Sequence, residues 1–200
     1  IIIGGALFFA YQKYEDYFNN PWTRDGQVRA NIIKVAPRVS GPITQVAIKD
    51  NQFVHQGDLL FQIDPSTYQV SLAQAEASLK RAKVKSRGKK IEYDRLKDIR
   101  AKDKGAVSHK DLTRRQIAYE ESLLEIEVSE EQLKAATLNL KFTSIYASID
   151  GYVSNIDIQL GTQAVANQPL LALIDSKSFW VFGYFRENQL PQIKAGNSAM

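Results

Sequence analysis

The chain lacks cysteine altogether and has one methionine and two histidines in 200 residues. Without cysteine there are no thiol nucleophiles, disulfide frameworks or zinc fingers, while the compartment stays open. The histidines, His55 and His109, have no metal-ligand spacing to each other or to a pair of carboxylates. Nucleophile elbows and phosphate-cradling glycine loops are also missing, so neither catalysis nor a bound metal or cofactor is expected. Glycine and proline are scarce where it matters most: 66–102 and 110–141 hold no proline and only Gly88. Net charge is +4, but it is unevenly spread. Residues 1–65 carry 6 basic and 6 acidic side chains, 66–110 carry 13 and 5, 111–142 carry 4 and 7, and 143–200 carry 3 and 4. The middle of the chain is therefore polarised and its ends are nearly neutral.

What is present begins with eleven uncharged residues, Ile1 to Tyr11. At helical rise they cover about 16 Å, roughly half of a hydrocarbon core of ~30 Å, too little to span it alone. Tyr14, Tyr17, Phe18 and Trp22 follow among Lys13, Glu15 and Asp16, as where a helix leaves a bilayer through an aromatic belt. Residues 1–18 thus read as the end of a truncated transmembrane anchor. At the other terminus, Phe179 to Phe185 reads as a strand and Lys194-Ala195-Gly196 as a turn, with nothing after them to pair.

Two stretches resemble each other, VAPRVSGPITQVAIKDNQFVHQGDLLFQID at 35–64 and IYASIDGYVSNIDIQLGTQAVANQPLLALID at 145–175. Gly41 aligns with Gly151, Ile43 with Val153, Val46 with Ile156 and Ile48 with Ile158. After one inserted residue, Val54 aligns with Val165, Leu59-Leu60 with Leu170-Leu171 and Ile63-Asp64 with Ile174-Asp175. Short β-branched runs broken by turn residues predict strands in both copies. One copy is too small to bury a core, so the two should close on each other.

Between the copies the composition turns to Ala, Leu, Glu, Lys and Gln, which favour helix. Asp64-Pro65-Ser66 starts the first arm. Tyr68, Leu72, Ala75, Leu79 and Ala82 recur at alternating spacings of four and three, lapse through the basic stretch, and resume at Tyr93 and Leu96. The second arm carries two apolar rows: Leu112, Tyr119, Leu123, Ile126, Leu133 and Leu140, and Ile117, Leu124, Val128, Ala135 and Leu138. This is coiled-coil spacing. Lys104 to Ser108 breaks it, with Ser108 as candidate N-cap, so the arms should fold back as a hairpin about 45–55 Å long. A turn near residue 105 sets the basic run Lys80 to Lys90 against 121–131, where Glu121, Glu125, Glu127, Glu130 and Glu131 lie. Each exposed pair contributes only about 0.2–1 kcal/mol, but the set selects register. The opposite arm and the lack of interleaved aromatics speak against a nucleic-acid partner for the basic run. One row suffices for packing within the hairpin. The second row, Ile117 to Leu138, is the candidate surface for lateral packing between protomers.

A duplicated β half-motif split by a helical hairpin behind a membrane anchor resembles the membrane fusion proteins, or periplasmic adaptors, of bacterial efflux and secretion systems (HlyD-type). The resemblance rests on Val35-Ala36-Pro37-Arg38-Val39-Ser40-Gly41, Gly57-Asp58-Leu59-Leu60-Phe61, Ile63-Asp64-Pro65, Ile149-Asp150-Gly151-Tyr152-Val153 and Phe185-Arg186-Glu187-Asn188-Gln189-Leu190. Within that family the chain looks most similar to adaptors of the aromatic carboxylic acid efflux pump and to Emr-type multidrug adaptors. The resemblance implies an α+β architecture: a split lipoyl-like barrel-sandwich over 32–64 and 144–176, a coiled-coil hairpin over 65–143 with its tip at 103–109, and the start of a β-barrel domain at 177–200, to which 19–31 adds a strand. It also implies the partners. These are an inner-membrane transporter, an outer-membrane channel and further copies of the chain, as a trimer or hexamer, with the protein held in the bacterial inner membrane and its bulk in the periplasm. Small molecules, aromatic acids or drugs among them, would be the cargo.

The family's hairpin tip often carries Arg, three residues, Leu, six residues, Ser. Here Arg95 is followed by Ile99 and, two residues late, by Ser108, while Gly105-Ala106-Val107-Ser108 is similar to the usual tip. Arg95, Ile99, Gly105, Ala106, Val107 and Ser108 are thus candidates for channel docking. Equally, Ser108 could serve only as a cap and Arg95 as a solvated charge. A biotinyl or lipoyl carrier would instead present a modifiable Lys in a tight hairpin after the first half-motif, where this chain runs into helix.

Overall fold

The computed structural model describes residues 2–19 and 22–196. It divides into two units, one of Ile33–Leu173 and one from Ile1–Ile32 with Ile174–Met200. In the larger unit, β2 (Ile32–Val35), β3 (Gly41–Val46), β4 (Phe53–Val54) and β5 (Leu59–Ile63) come from the first copy, and β6 (Ser144–Tyr146), β7 (Gly151–Ser154), β8 (Gln163–Ala164) and β9 (Leu171–Asp175) from the second. They form two four-stranded sheets, ordered β2-β9-β7-β4 and β6-β5-β3-β8. Exchanging the two copies converts one order into the other. Each sheet therefore mixes both copies, and neither copy closes a sheet alone.

The duplication extends to individual hydrogen bonds. Ile43 N–H donates to Thr162 O and Val153 N–H to Gln52 O, both at 2.9 Å. Gln56 N–H donates to Asp150 Oδ1 and Ala166 N–H to Ser40 Oγ, again both at 2.9 Å. These matches correct the alignment of the copies. Gly161 (φ 84) stands where Asn51 (φ 61) does, and Asn167 (φ 65) where Gly57 (φ 94) does, an offset of 110 in each case. The same offset pairs Val54 with Ala164 and Ile63 with Leu173, all four buried. No residue is inserted. The Leu-Leu and Ile-Asp matches that suggested an insertion compare positions one step out of register, and one step in a strand moves a side chain to the opposite face. The core comprises Ile43, Val54, Leu60, Phe61 and Ile63 with Val153, Leu171 and Leu173. A Cβ on Gly41, at the start of β3, would lie 2.7 Å from Ile63 Cγ2, so any larger residue here has to displace the buried Ile63 side chain.

From this module project α2 (Ser66–Lys102) and α3 (His109–Lys141). Asp64 starts α2 chemically: its Oδ1 accepts Ser66 N–H at 2.9 Å and Ser66 O–H at 2.5 Å, which holds its carboxyl below the usual carboxylate range. Tyr68 O–H donates to Ser40 O at 2.7 Å, and the Arg38 guanidinium lies 4.7 Å over the Phe142 ring. Ile63 N–H donates to Thr143 O at 2.8 Å. Both ends of the hairpin are thus tied to the first half-motif.

In the smaller unit, α1 covers Ile2–Asn19. Among the described residues no helix is long and apolar enough to cross a membrane. Of the aromatics read as a belt, the side chains of Tyr17 and Phe18 lie outside the described residues, as does that of Asn188 in the family motif. The strand for which the neighbouring sequence offered no partner pairs within the stretch 19–31 that the resemblance implied: β10 (Trp180–Gly183) lies antiparallel to β1 (Gly26–Arg29), Val28 opposite Val181. The pairing is long-range, which a search of the following residues could not reveal. Thr23 O–H to Tyr184 O at 2.5 Å and Asn31 N–H to Ser178 Oγ at 2.8 Å extend it. A 3-10 turn follows at Glu187–Gln192.

Candidate functional site

The hairpin is built on a seam of alternating four and three residues in both helices. On α2 the inward positions are Tyr68, Leu72, Ala75, Leu79, Ala82, Ser86, Lys89, Tyr93 and Leu96, each buried or half-buried. On α3 they are Leu112, Arg115, Tyr119, Ser122, Ile126, Ser129, Leu133, Ala136 and Leu140. The period does not lapse through the basic stretch: Ser86 and Lys89 carry it across. Leu123, placed in the seam by its apolar character, is 44% exposed, and Ser122 takes the inward place.

The buried members of the seam are small: Ala82, Ser86, Ser122 and Ser129. Small side chains let the two backbones approach, and their hydroxyls are satisfied on the spot. Ser122 Oγ lies 3.1 Å from Ser86 Oγ and 2.6 Å from Tyr119 O, and Ser129 O–H donates to Glu125 O at 2.8 Å. Towards the tip Tyr93 and Tyr119 stack at 6.3 Å. Sequence reading missed the serines because it counted apolar residues only, although their spacing continues the grid.

Charge fixes which turn of α2 faces which turn of α3. Lys85 Nζ meets Glu125 Oε2 at 2.7 Å and Lys83 Nζ meets Glu130 Oε1 at 3.0 Å, so the basic run does face 121–131. Arg115 pairs with Glu92 at 2.9 Å.

The second row of α3 points away from the seam. Ile117, Leu124, Val128 and Leu138 are 44–62% exposed, and Ala135 is exposed with them. Shallow hollows on this back are lined by Val128 and Ala135 with Glu127, Glu131 and Gln132, and by Ile117 with Arg114 and Glu121. At the tip, Asp103 O accepts Ala106 N–H at 3.3 Å and Asp103 Oδ1 accepts Gly105 N–H at 2.8 Å. Val107 and Ile99 are half-buried, whereas Arg95, Gly105, Ala106 and Ser108 are exposed. Arg95 sits about two helical turns before Asp103, so it is not gathered with Gly105 to Ser108. Ser108 occupies the N-cap position of α3 without a side-chain capping bond; its carbonyl accepts Leu112 N–H at 3.2 Å. His109 Nδ1 lies 3.1 Å from Thr113 Oγ1, and His55 lies 3.8 Å from Asp58 on the module.

A duplicated barrel-sandwich interrupted by a long hairpin defines the adaptor class of proteins. The family described as "RND MFP, barrel-sandwich hybrid domain" matches residues 31–176. The chain belongs to this membrane fusion protein family, the periplasmic adaptors of efflux systems. It is 35% identical over 194 residues to the uncharacterized protein YdhJ of Escherichia coli (strain K12), covering 97% of this chain and 67% of that protein. Among solved structures it resembles MacA from Actinobacillus actinomycetemcomitans, with a TM-score of 0.65 and 25% identity over 90% of this chain and 60% of that one. The periplasmic adaptor protein EmrA matches with a TM-score of 0.60 and 19% identity, covering 88% of this chain and 81% of that one. The chain spans between 47% and 81% of the lengths of such structures.

Proposed function

We propose that the protein is a connector of a tripartite exporter. Its hairpins would pack side by side as a ring that links an inner-membrane transporter to an outer-membrane channel for the export of small molecules. Helix α1 is the membrane-proximal end of an inner-membrane anchor in this reading, and residues 177–200 with 19–31 are the start of the barrel domain. The observation that carries the proposal is the back of α3: Leu124 is 62% and Val128 57% exposed on a helix whose seam is already filled. Exposed apolar rows of this length mark interaction surfaces. The carrier alternative fails on position, since Ser66 opens a helix where a carrier would present its Lys.

A photoreactive label on cysteines introduced at Leu124 or Val128 tests lateral packing in membranes. Capture of a second copy is expected, and capture of none rejects the ring. For channel docking, Val107→Asp and Arg95→Asp are expected to abolish export and channel pull-down. Unchanged export and pull-down would remove those residues from the docking surface.

A further inference from the structure

The inward layers of the hairpin change character at half height. Ser86 and Ser122, 3.1 Å apart, have numbers that total 208, and inward residues of the two antiparallel arms with that same total share a layer. Five layers lie between this serine layer and the β-module. Each holds one large aliphatic residue: Leu140, Leu72, Leu133, Leu79 and Ile126, in order from the module. Four layers lie between it and the tip. Lys89, Arg115 and Arg100 each occupy one of them, and only Leu96 with Leu112 forms an apolar layer.

The three inward cations are half-buried. Arg115 is answered by Glu92 at 2.9 Å. Arg100 Nη1 is buried without a hydrogen-bond partner, and Lys89 makes no ion pair among the described residues. A charged donor left unmet lowers the stability of the layer that encloses it, and opening returns it to water. The backbone is weakened at the same height. Gly88 sits inside α2, two residues beyond the serine layer, where glycine is a poor helix former. No atom lies within 4 Å of where its Cβ would be, and its φ is not positive, so neither close packing nor a left-handed turn calls for glycine there. On the facing arm, Ser122 Oγ lies 2.6 Å from Tyr119 O, a back-bond of the kind that weakens and bends helices.

We propose that the tip half of the hairpin, 87–121, is a separate opening unit. Its two arms part and melt together, with the boundary at the Ser86–Ser122 layer and Gly88, while the base half stays closed, and docking proceeds from this opened form. Parting and melting are linked because the tip arms, 87–102 and 109–121, are short, and isolated helices below about 12–15 residues are marginal in water. Segments that meet partners are drawn from the low-stability end of a fold. The role in docking rests on the channel-docking reading above; the opening itself does not.

Amide hydrogen exchange of the full-length protein, free of any channel, tests the opening. Amides of 90–100 and 111–119 are expected to exchange at a common rate, at least about tenfold faster than those of 70–82 and 126–138. Gly88→Ala should slow the tip half about fivefold, equivalent to about 1 kcal/mol, and Lys89→Leu about tenfold, equivalent to about 1.4 kcal/mol, with the base half unchanged. One rate along the whole hairpin, a smooth gradient from the tip, or equal slowing of both halves overturns the separate unit. For docking, Leu96→Cys with Leu112→Cys staples the tip half by a disulfide, and Ala75→Cys with Leu133→Cys staples the base half, in a chain with no other thiol. The tip staple is expected to abolish channel pull-down until it is reduced, and the base staple to leave it intact. Pull-down unaffected by a formed tip staple, where Val107→Asp abolishes it, overturns docking from the opened form. Pull-down unaffected by either sinks the docking reading itself, and the exchange boundary is judged without it.

Discussion

The β-module and the hairpin hold their shapes by opposite means. The module buries Phe61, Ile43, Leu60, Ile63, Leu173 and Val153 almost completely, with both copies contributing to each sheet. The hairpin buries only Ala82, Ser86, Ser122 and Ser129, and keeps large apolar residues on its outer faces. One is a finished core; the other is two helices held by a narrow seam and by register-setting charges. Burial within a chain scales with its internal neighbours, and a rod two helices wide has few. The hairpin's spare apolar surface is therefore the part of this protein built for contact, while the module is the part built to stay folded.

The comparison is broken most severely in the module. Ile63→Ala and Leu173→Ala occupy equivalent buried positions, and each should cost about 2–5 kcal/mol in urea unfolding, to a similar extent if the duplication is energetic as well as geometric. Gly41→Ala should cost about 1–3 kcal/mol, because its Cβ would meet Ile63 Cγ2 at 2.7 Å. In the hairpin, Ser122→Leu should separate the helices at a comparable cost of about 1–3 kcal/mol, read as earlier loss of helical circular dichroism with the module intact. Lys85→Ala removes an exposed ion pair and should cost only about 0.2–1 kcal/mol, less in high salt. The smallest effect belongs to the junction. Asp64 is held below its ordinary pKa by Ser66, so its contribution is present at neutral pH and is lost as pH falls through the ordinary carboxylate range towards the lowered folded value. Asp64→Asn should flatten that part of the stability curve against pH, and an unchanged curve would mean that the Ser66 contacts do not hold in solution.

Much of this was legible in the residues. The antiparallel hairpin was readable because helical period and charge are local patterns, and Lys85 to Glu125 confirms the facing they implied. The duplication was readable from Gly41 and Gly151, Ile43 and Val153. Its second half was misaligned by one residue because Leu-Leu and Ile-Asp look alike wherever they fall, while only φ at Gly57 and Asn167 shows which positions turn alike. The serine layers were passed over for a related reason. Serine is polar in a list of residues and small in a helix interface, and only the facing backbone decides which property counts.

The sequence by itself determined that two β half-motifs enclose a helical hairpin, which arm is basic, which is acidic, and where the chain reverses. Those follow from periodicity and charge, which each segment carries without its neighbours. Tertiary structure decided the offset of 110 between the copies, the register of the strand Trp180–Gly183 on Gly26–Arg29, and which apolar rows are left outside once the seam is filled. Each of these depends on what stands opposite a residue in space, and that depends on long-range pairing between distant segments.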